Sequence, residues 1–180
     1  MEWQDVMMEE YKALRTVVIE SLKNQQSVLS LGITTISVII GFGANQWTQD
    51  FVPDLMFLVF TPLFSYLILL IWIAEVSRVM LAGNSILKIE TEINLFFDKT
   101  ALNWETTLRS ENKQTKINYY AVIFLFLSVP IASIFLGIWH YNMVSRTHLI
   151  PISVICIAES ILFVAYLIYL KRKGAKLNKM

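Results

Sequence analysis

The sequence predicts an all-α membrane protein with four transmembrane helices, N-in/C-in topology and helical extensions on the cytoplasmic side. Three observations carry this reading. Hydrophobic residues make up 56% of the 180 positions and charged residues only 16%, where a soluble domain carries about 25% charged residues. The charges are clustered, leaving long uncharged gaps. Lys and Arg are also distributed very unequally between the segments that join those gaps.

The gaps place the spans. No charged residue occurs between Lys23 and Asp50, between Asp54 and Glu75, or between Lys116 and Arg146, and Glu159 alone interrupts residues 147–170. A hydrocarbon core about 30 Å thick is crossed by about 20 apolar helical residues. Each gap is long enough, and the spans fall near 28–47, 55–75, 119–139 and 149–170. The segments 1–27, 76–118 and 171–180 then lie on one side and hold 14 of the 15 Lys and Arg residues, leaving Arg146 alone on the other. Cytoplasmic loops collect basic residues, so both termini and the central segment are expected inside, and the turns near 48–54 and 140–148 outside.

Segment 1–27 reads as an amphipathic helix. Met7, Tyr11, Leu14, Val18 and Leu22 recur at helical spacing among Glu9, Glu10, Lys12, Arg15 and Glu20, which gives one apolar stripe. Four acids precede the first base, which does not match a secretory signal. With no Gly or Pro before Gly32, the helix is expected to run unbroken into the first span.

Residues 28–75 carry spans 1 and 2. Along span 1, Ser27, Ser30, Thr34, Ser37, Gly41 and Thr48 fall at helical intervals on one face, with Asn45 beside them. Small and hydroxyl residues on one face either allow close helix packing or line a wet path. Glu75, three residues before Arg78, is placed to form an ion pair. Pro62 and Pro130 remove backbone donors inside spans 2 and 3, and are expected to bend them.

Segment 76–118 reads as a helical hairpin. Span 2 is expected to continue through Ile86, Ile89, Ile93, Phe96 and Phe97, opposite a polar face of Lys88, Glu90, Glu92 and Asn94, with Gly83 as its weak point. DKTALN at 98–103 reads as a turn, and Asn103 as the cap of a helix opened by Trp104, Glu105 and Leu108. Three cytoplasmic helices of this length bury little apolar surface, so self-association into a homo-oligomer, such as a tetramer, is expected to support them. Residues 119–170 carry spans 3 and 4, and the basic tail 171–180 contacts anionic lipid headgroups.

Within span 4, Glu159 stands near the bilayer centre, where a charge is costly. It is expected to face protein or water, either on an ion or proton path or as a protonated acid bonded to a neighbour. Trp47, Trp139 and Tyr141 at one boundary and Tyr119, Tyr120 and Tyr169 at the other are expected as interfacial anchors. His140 and His148 have no acid near them in sequence and do not make a metal site. The lone Cys156 excludes an intrachain disulfide. No phosphate-binding loop, dinucleotide fingerprint, zinc-protease or serine-hydrolase motif occurs, so neither an enzyme nor a cofactor is expected.

The residues therefore point to a homo-oligomeric channel, with Ser27, Ser30, Thr34, Ser37, Gly41, Asn45 and Glu159 as candidate pore-lining positions. A non-conducting scaffold or accessory subunit, and a small proton-coupled transporter, are the alternatives. The run EEYKALR at 9–15, the Arg78 to Ile89–Glu90 extension and the Trp104–Glu105 to Leu108–Arg109 re-entry resemble small four-span bacterial membrane effectors of antiphage defence, the Hailong membrane effectors among them. The resemblance spans the whole chain as architecture. It implies an ion-conducting oligomer in the bacterial inner membrane, held shut or opened by a nucleotide or single-stranded oligonucleotide from a partner nucleotidyltransferase. Such a ligand would meet Lys12, Arg15, Lys88, Lys99, Arg109, Lys113 and Lys116, with Trp3, Tyr11 and Trp104 as stacking platforms. The five acids in 76–118 equally allow those cations to be a solvated face.

Overall fold

The computed structural model describes residues 3–49, 51–110 and 113–143, together with positions 158, 160, 161, 164, 165 and 168. Glu159, Cys156, His148 and the tail 171–180 lie outside the described residues. Among the described residues there are only helices and turns. The order is α1 (Trp3–Asn45), α2 (Val52–Leu55), a π-helical turn (Met56–Phe60), α3 (Thr61–Phe97), α4 (Trp104–Ser110) and α5 (Lys113–Met143). Three helical stretches are long and apolar enough to cross a membrane: Asp5–Asn45, Val52–Phe97 and Tyr119–Met143. As the absence of early Gly or Pro predicts, α1 is continuous from Trp3.

The chain divides into two units. The first comprises Met1–Leu31 and Ile68–Phe124. Its core is Tyr11 and Val18 of α1 against Ala82, Ile86, Ile89 and Ile93 of α3, with Met7, Leu14, Leu102 and Trp104 packed around them. The expected stripe on α1 holds as far as Val18 and then departs, because Leu22 is 43% exposed while Ser21 and Gln25 are buried. At 100° per residue a step of four advances the face by about 40°, whereas steps of seven drift back by only about 20°. Tyr11, Val18 and Gln25 follow the steps of seven.

On α3 the apolar face is buried at Ile86, Ile89 and Ile93 but exposed at Phe96 and Phe97. Glu90, which the residue pattern puts on the polar face, is 1% exposed. It lies four residues after Ile86 and three before Ile93, so the helix turns it toward the core. The turn at 98–103 is present. Asp98 closes α3 with φ of 47°, while its N–H and that of Lys99 donate to the carbonyls of Leu95 and Asn94. The left-handed region costs an L-residue about 1 kcal/mol or more and glycine almost nothing. Asp98→Gly is therefore expected to raise the thermal midpoint by about 1–2 °C, and Asp98→Val to lower it.

The second unit comprises Gly32–Leu67 and Leu125–Met180. Pro53 occupies the first turn of α2, where its missing N–H costs nothing. Pro62 lies in the first turn of α3. The backbone ahead of it widens into the π-helical turn, and the Thr61 N–H donates to the Met56 carbonyl five residues back. The Thr61 hydroxyl donates to the same oxygen at 2.8 Å. At Gly137 of α5, a Cβ would come within 2.5 Å of Leu58, so only glycine lets that side chain seat against the helix.

Candidate functional site

The polar face of α1 is exposed among the described residues. Ser27, Ser30, Thr34, Ser37, Gly41 and Asn45 are all exposed, as is Thr48 in the following turn, and nothing lies within 4 Å of where a Gly41 Cβ would stand. The buried positions of the same helix are Tyr11, Val18, Ser21, Gln25, Gly32, Ile36 and Gly43. At 100° per residue the two sets are centred about 160° apart, so the hydroxyl face lies opposite the buried face of α1. Leu31, Ile33, Val38 and Phe42, all at least half exposed, flank it with apolar surface. Only 17% of the most apolar stretch of this helix is buried, against 44% in Val52–Phe97.

A second cluster sits at the far end of the first unit. Glu90 Oε1 accepts from the Tyr11 hydroxyl at 3.4 Å and from the Glu105 N–H at 2.9 Å. Its Oε2 accepts from the Thr106 N–H at 3.3 Å and the Thr106 hydroxyl at 3.1 Å. Glu90 is thus the acceptor at the start of α4, a role the residue pattern gives to Asn103. One turn on, Asn94 Oδ1 accepts from the N–H groups of Ala101 and Leu102 at 2.7 and 2.8 Å. Burial, and next the Glu90 carboxylate, raise the Tyr11 phenol above its ordinary pKa of 10.0, against the lowering effect of Arg15.

Of the cations expected to meet a ligand, Arg15 is brought to Trp104, its guanidinium 4.9 Å from the ring centroid and 5.8 Å from that of Tyr11. Lys12, Lys88 and Lys99 are exposed, with the Lys99 ammonium 5.9 Å from the Phe97 ring. Arg109 lies on α4 and Lys113 and Lys116 on α5; their side chains lie outside the described residues. Among the aromatic platforms, Tyr11 is buried in the core and Trp104 is covered by Arg15 and the core cluster. Trp3 is half exposed and packs on Phe96 at 6.1 Å.

The third arrangement was not legible in the local sequence. His140 Nδ1 lies 2.8 Å from Asp54 Oδ1, and its Nε2 donates to the Trp47 carbonyl at 2.7 Å. Both side chains are about 1% exposed or less. The carbonyl only accepts, so Nε2 carries a proton, and one further proton is shared between Nδ1 and the carboxyl. Trp47 closes over this pair, 4.8 Å from the imidazole and 5.8 Å from Phe57. The acid absent from the sequence neighbourhood of His140 is supplied from 86 positions earlier. Among the described residues no group of three or more His, Cys, Asp or Glu forms a metal site.

No family model, curated protein or solved structure matches this chain. The ion pair expected between Glu75 and Arg78 is formed at 2.9 Å.

Proposed function

We propose that the chain is a four-span protein of the bacterial inner membrane, with both termini cytoplasmic, whose copies assemble into a homo-oligomeric ion-conducting pore lined by α1. The outward hydroxyl face of α1 carries this reading. From Ser27 to Asn45 it advances 18 positions, about 27 Å of helix, which matches the thickness of a hydrocarbon core. A single helix crossing uses a few small residues; a polar run over the whole span suits a path shared between protomers around a symmetry axis.

Coupling to the cytoplasm follows from α1 being one helix. Its Tyr11 and Val18 pack against α3, so a ligand that shifts this helix pair acts directly on the pore-lining face. The resemblance to antiphage membrane effectors supports a nucleotide or single-stranded oligonucleotide as that ligand, read by the cytoplasmic cations with exposed Trp3 as the available stacking surface.

The test is conductance in liposomes holding the full chain. Thr34→Leu and Ser37→Leu are expected to cut current at least several-fold with assembly unchanged. Absence of current with and without added oligonucleotides, from a correctly assembled oligomer, would reject the pore and leave the scaffold reading. Current that is insensitive to both substitutions would assign the stripe to packing.

A further inference from the structure

Gln25, Trp72 and Glu75 are each more than nine-tenths buried. The Gln25 Nε2, Trp72 Nε1 and Glu75 Oε2 atoms are each shielded from solvent and have no hydrogen-bond partner among the described residues. The Arg78 Nη1 donates to Glu75 Oε1 at 2.9 Å, which leaves Oε2 as the open acceptor. Leaving a buried donor or acceptor unmade is costly, so three such atoms on adjoining elements call for a common explanation.

Helix register brings them to one level. Trp3 packs on Phe96, and Tyr11 bonds Glu90, so advancing along α1 corresponds to retreating along α3 and the two run antiparallel. Fourteen residues beyond Tyr11 is Gln25; fourteen before Glu90 is Val76, next to Glu75. Equal rise per residue keeps those positions level. Trp72 and Glu75 are three apart on α3, a spacing at which side chains meet. The Tyr119 ring packs edge-on against Trp72 at 5.5 Å, covering the site from α5.

We propose that Gln25, Trp72 and Glu75 form a buried binding site for an ordered water molecule that accepts from the amide and indole N–H groups and donates to the Glu75 carboxylate. The donor set selects this ligand. Two N–H donors exclude a metal or ammonium ion, and the carboxylate excludes an anion. A neutral oxygen that both accepts and donates satisfies all three, which is the environment buried water occupies in folded proteins. The site links α1 to α3 at the level where the proposed spans begin, and it does not depend on whether the protein conducts.

The decisive measurement is a structure of the full chain in lipid nanodiscs at a resolution that shows ordered water. The expected result is one oxygen within about 3.2 Å of all three atoms. Gln25 bonded directly to Trp72 or Glu75, or an empty site, would overturn the proposal. A double-mutant cycle gives an independent readout. With Gln25→Met, Trp72→Phe and their combination, a shared water makes the melting-temperature shifts non-additive by about 2 °C or more. Additive shifts, or a rise in melting temperature with each single variant, would show two separate orphaned donors and no bridging ligand.

Discussion

Glu90→Ala is expected to lower the stability of the protein by about 3 kcal/mol or more, one of the two largest effects of a single substitution. The carboxylate accepts four hydrogen bonds, from Tyr11, the Glu105 N–H, and the Thr106 N–H and hydroxyl. Removing it strips four donors of their acceptor; Thr106 is exposed and can be rehydrated, whereas Glu105 is partly shielded and Tyr11 is buried, and a shielded donor left unmade costs on the order of 1–3 kcal/mol. The bond to Tyr11 is long and contributes least. Glu90→Gln retains one acceptor oxygen but turns an NH2 group toward a backbone N–H, so it should fall between wild type and alanine. Thermal unfolding in detergent reads the total. Hydrogen exchange at Leu102, Glu105 and Thr106 locates it, since these amides should lose protection before the α1 and α3 core does. An unchanged midpoint for Glu90→Ala would show that α4 is held by Trp104 packing alone.

The helical class and the three long apolar stretches were legible because their causes are local. Uncharged gaps of membrane length produce Asp5–Asn45, Val52–Phe97 and Tyr119–Met143, and turn chemistry at Asp98 ends α3 where the polar run begins. The hydroxyl face of α1 was also readable, since residues 27, 30, 34, 37 and 41 stay on one side of any regular helix. Side-chain partnership across the fold was not. Glu90 looks like part of a charged face until the ring of neighbours that buries it is known, although its placement between Ile86 and Ile93 was an available signal. Leu22 looks like core until the antiparallel partner shows that steps of seven govern the contact. His140 looks like an isolated loop histidine because the acid beside it and the carbonyl below it come from two other segments of chain. Periodicity reports which face a residue occupies, and long-range pairing decides what that face meets.

Asp54→Ala is expected to cost about 3–5 kcal/mol, the range for removing one partner of a buried ionic or proton-sharing pair. The imidazole of His140 is held at both nitrogens, by Asp54 at 2.8 Å and by the Trp47 carbonyl at 2.7 Å. Alanine leaves Nδ1 without a partner behind the Trp47 ring, in a position solvent does not reach. Asp54→Asn separates charge from hydrogen bonding. The asparagine amide donates to a neutral Nδ1, so the contact survives while the carboxylate is lost, and most of the stability should be kept if the pair acts through its shared proton. A loss as large as that of alanine would instead show that the carboxylate charge is required. Replacing both residues, as in Asp54→Leu with His140→Leu, removes every buried polar group of the pair except the Trp47 carbonyl, and should cost less than the two single substitutions added together. Strict additivity would mean that the two side chains are not coupled. Coupling would show that the pair fastens α2 to the end of α5, where the same imidazole also holds the Trp47 carbonyl of the turn after α1.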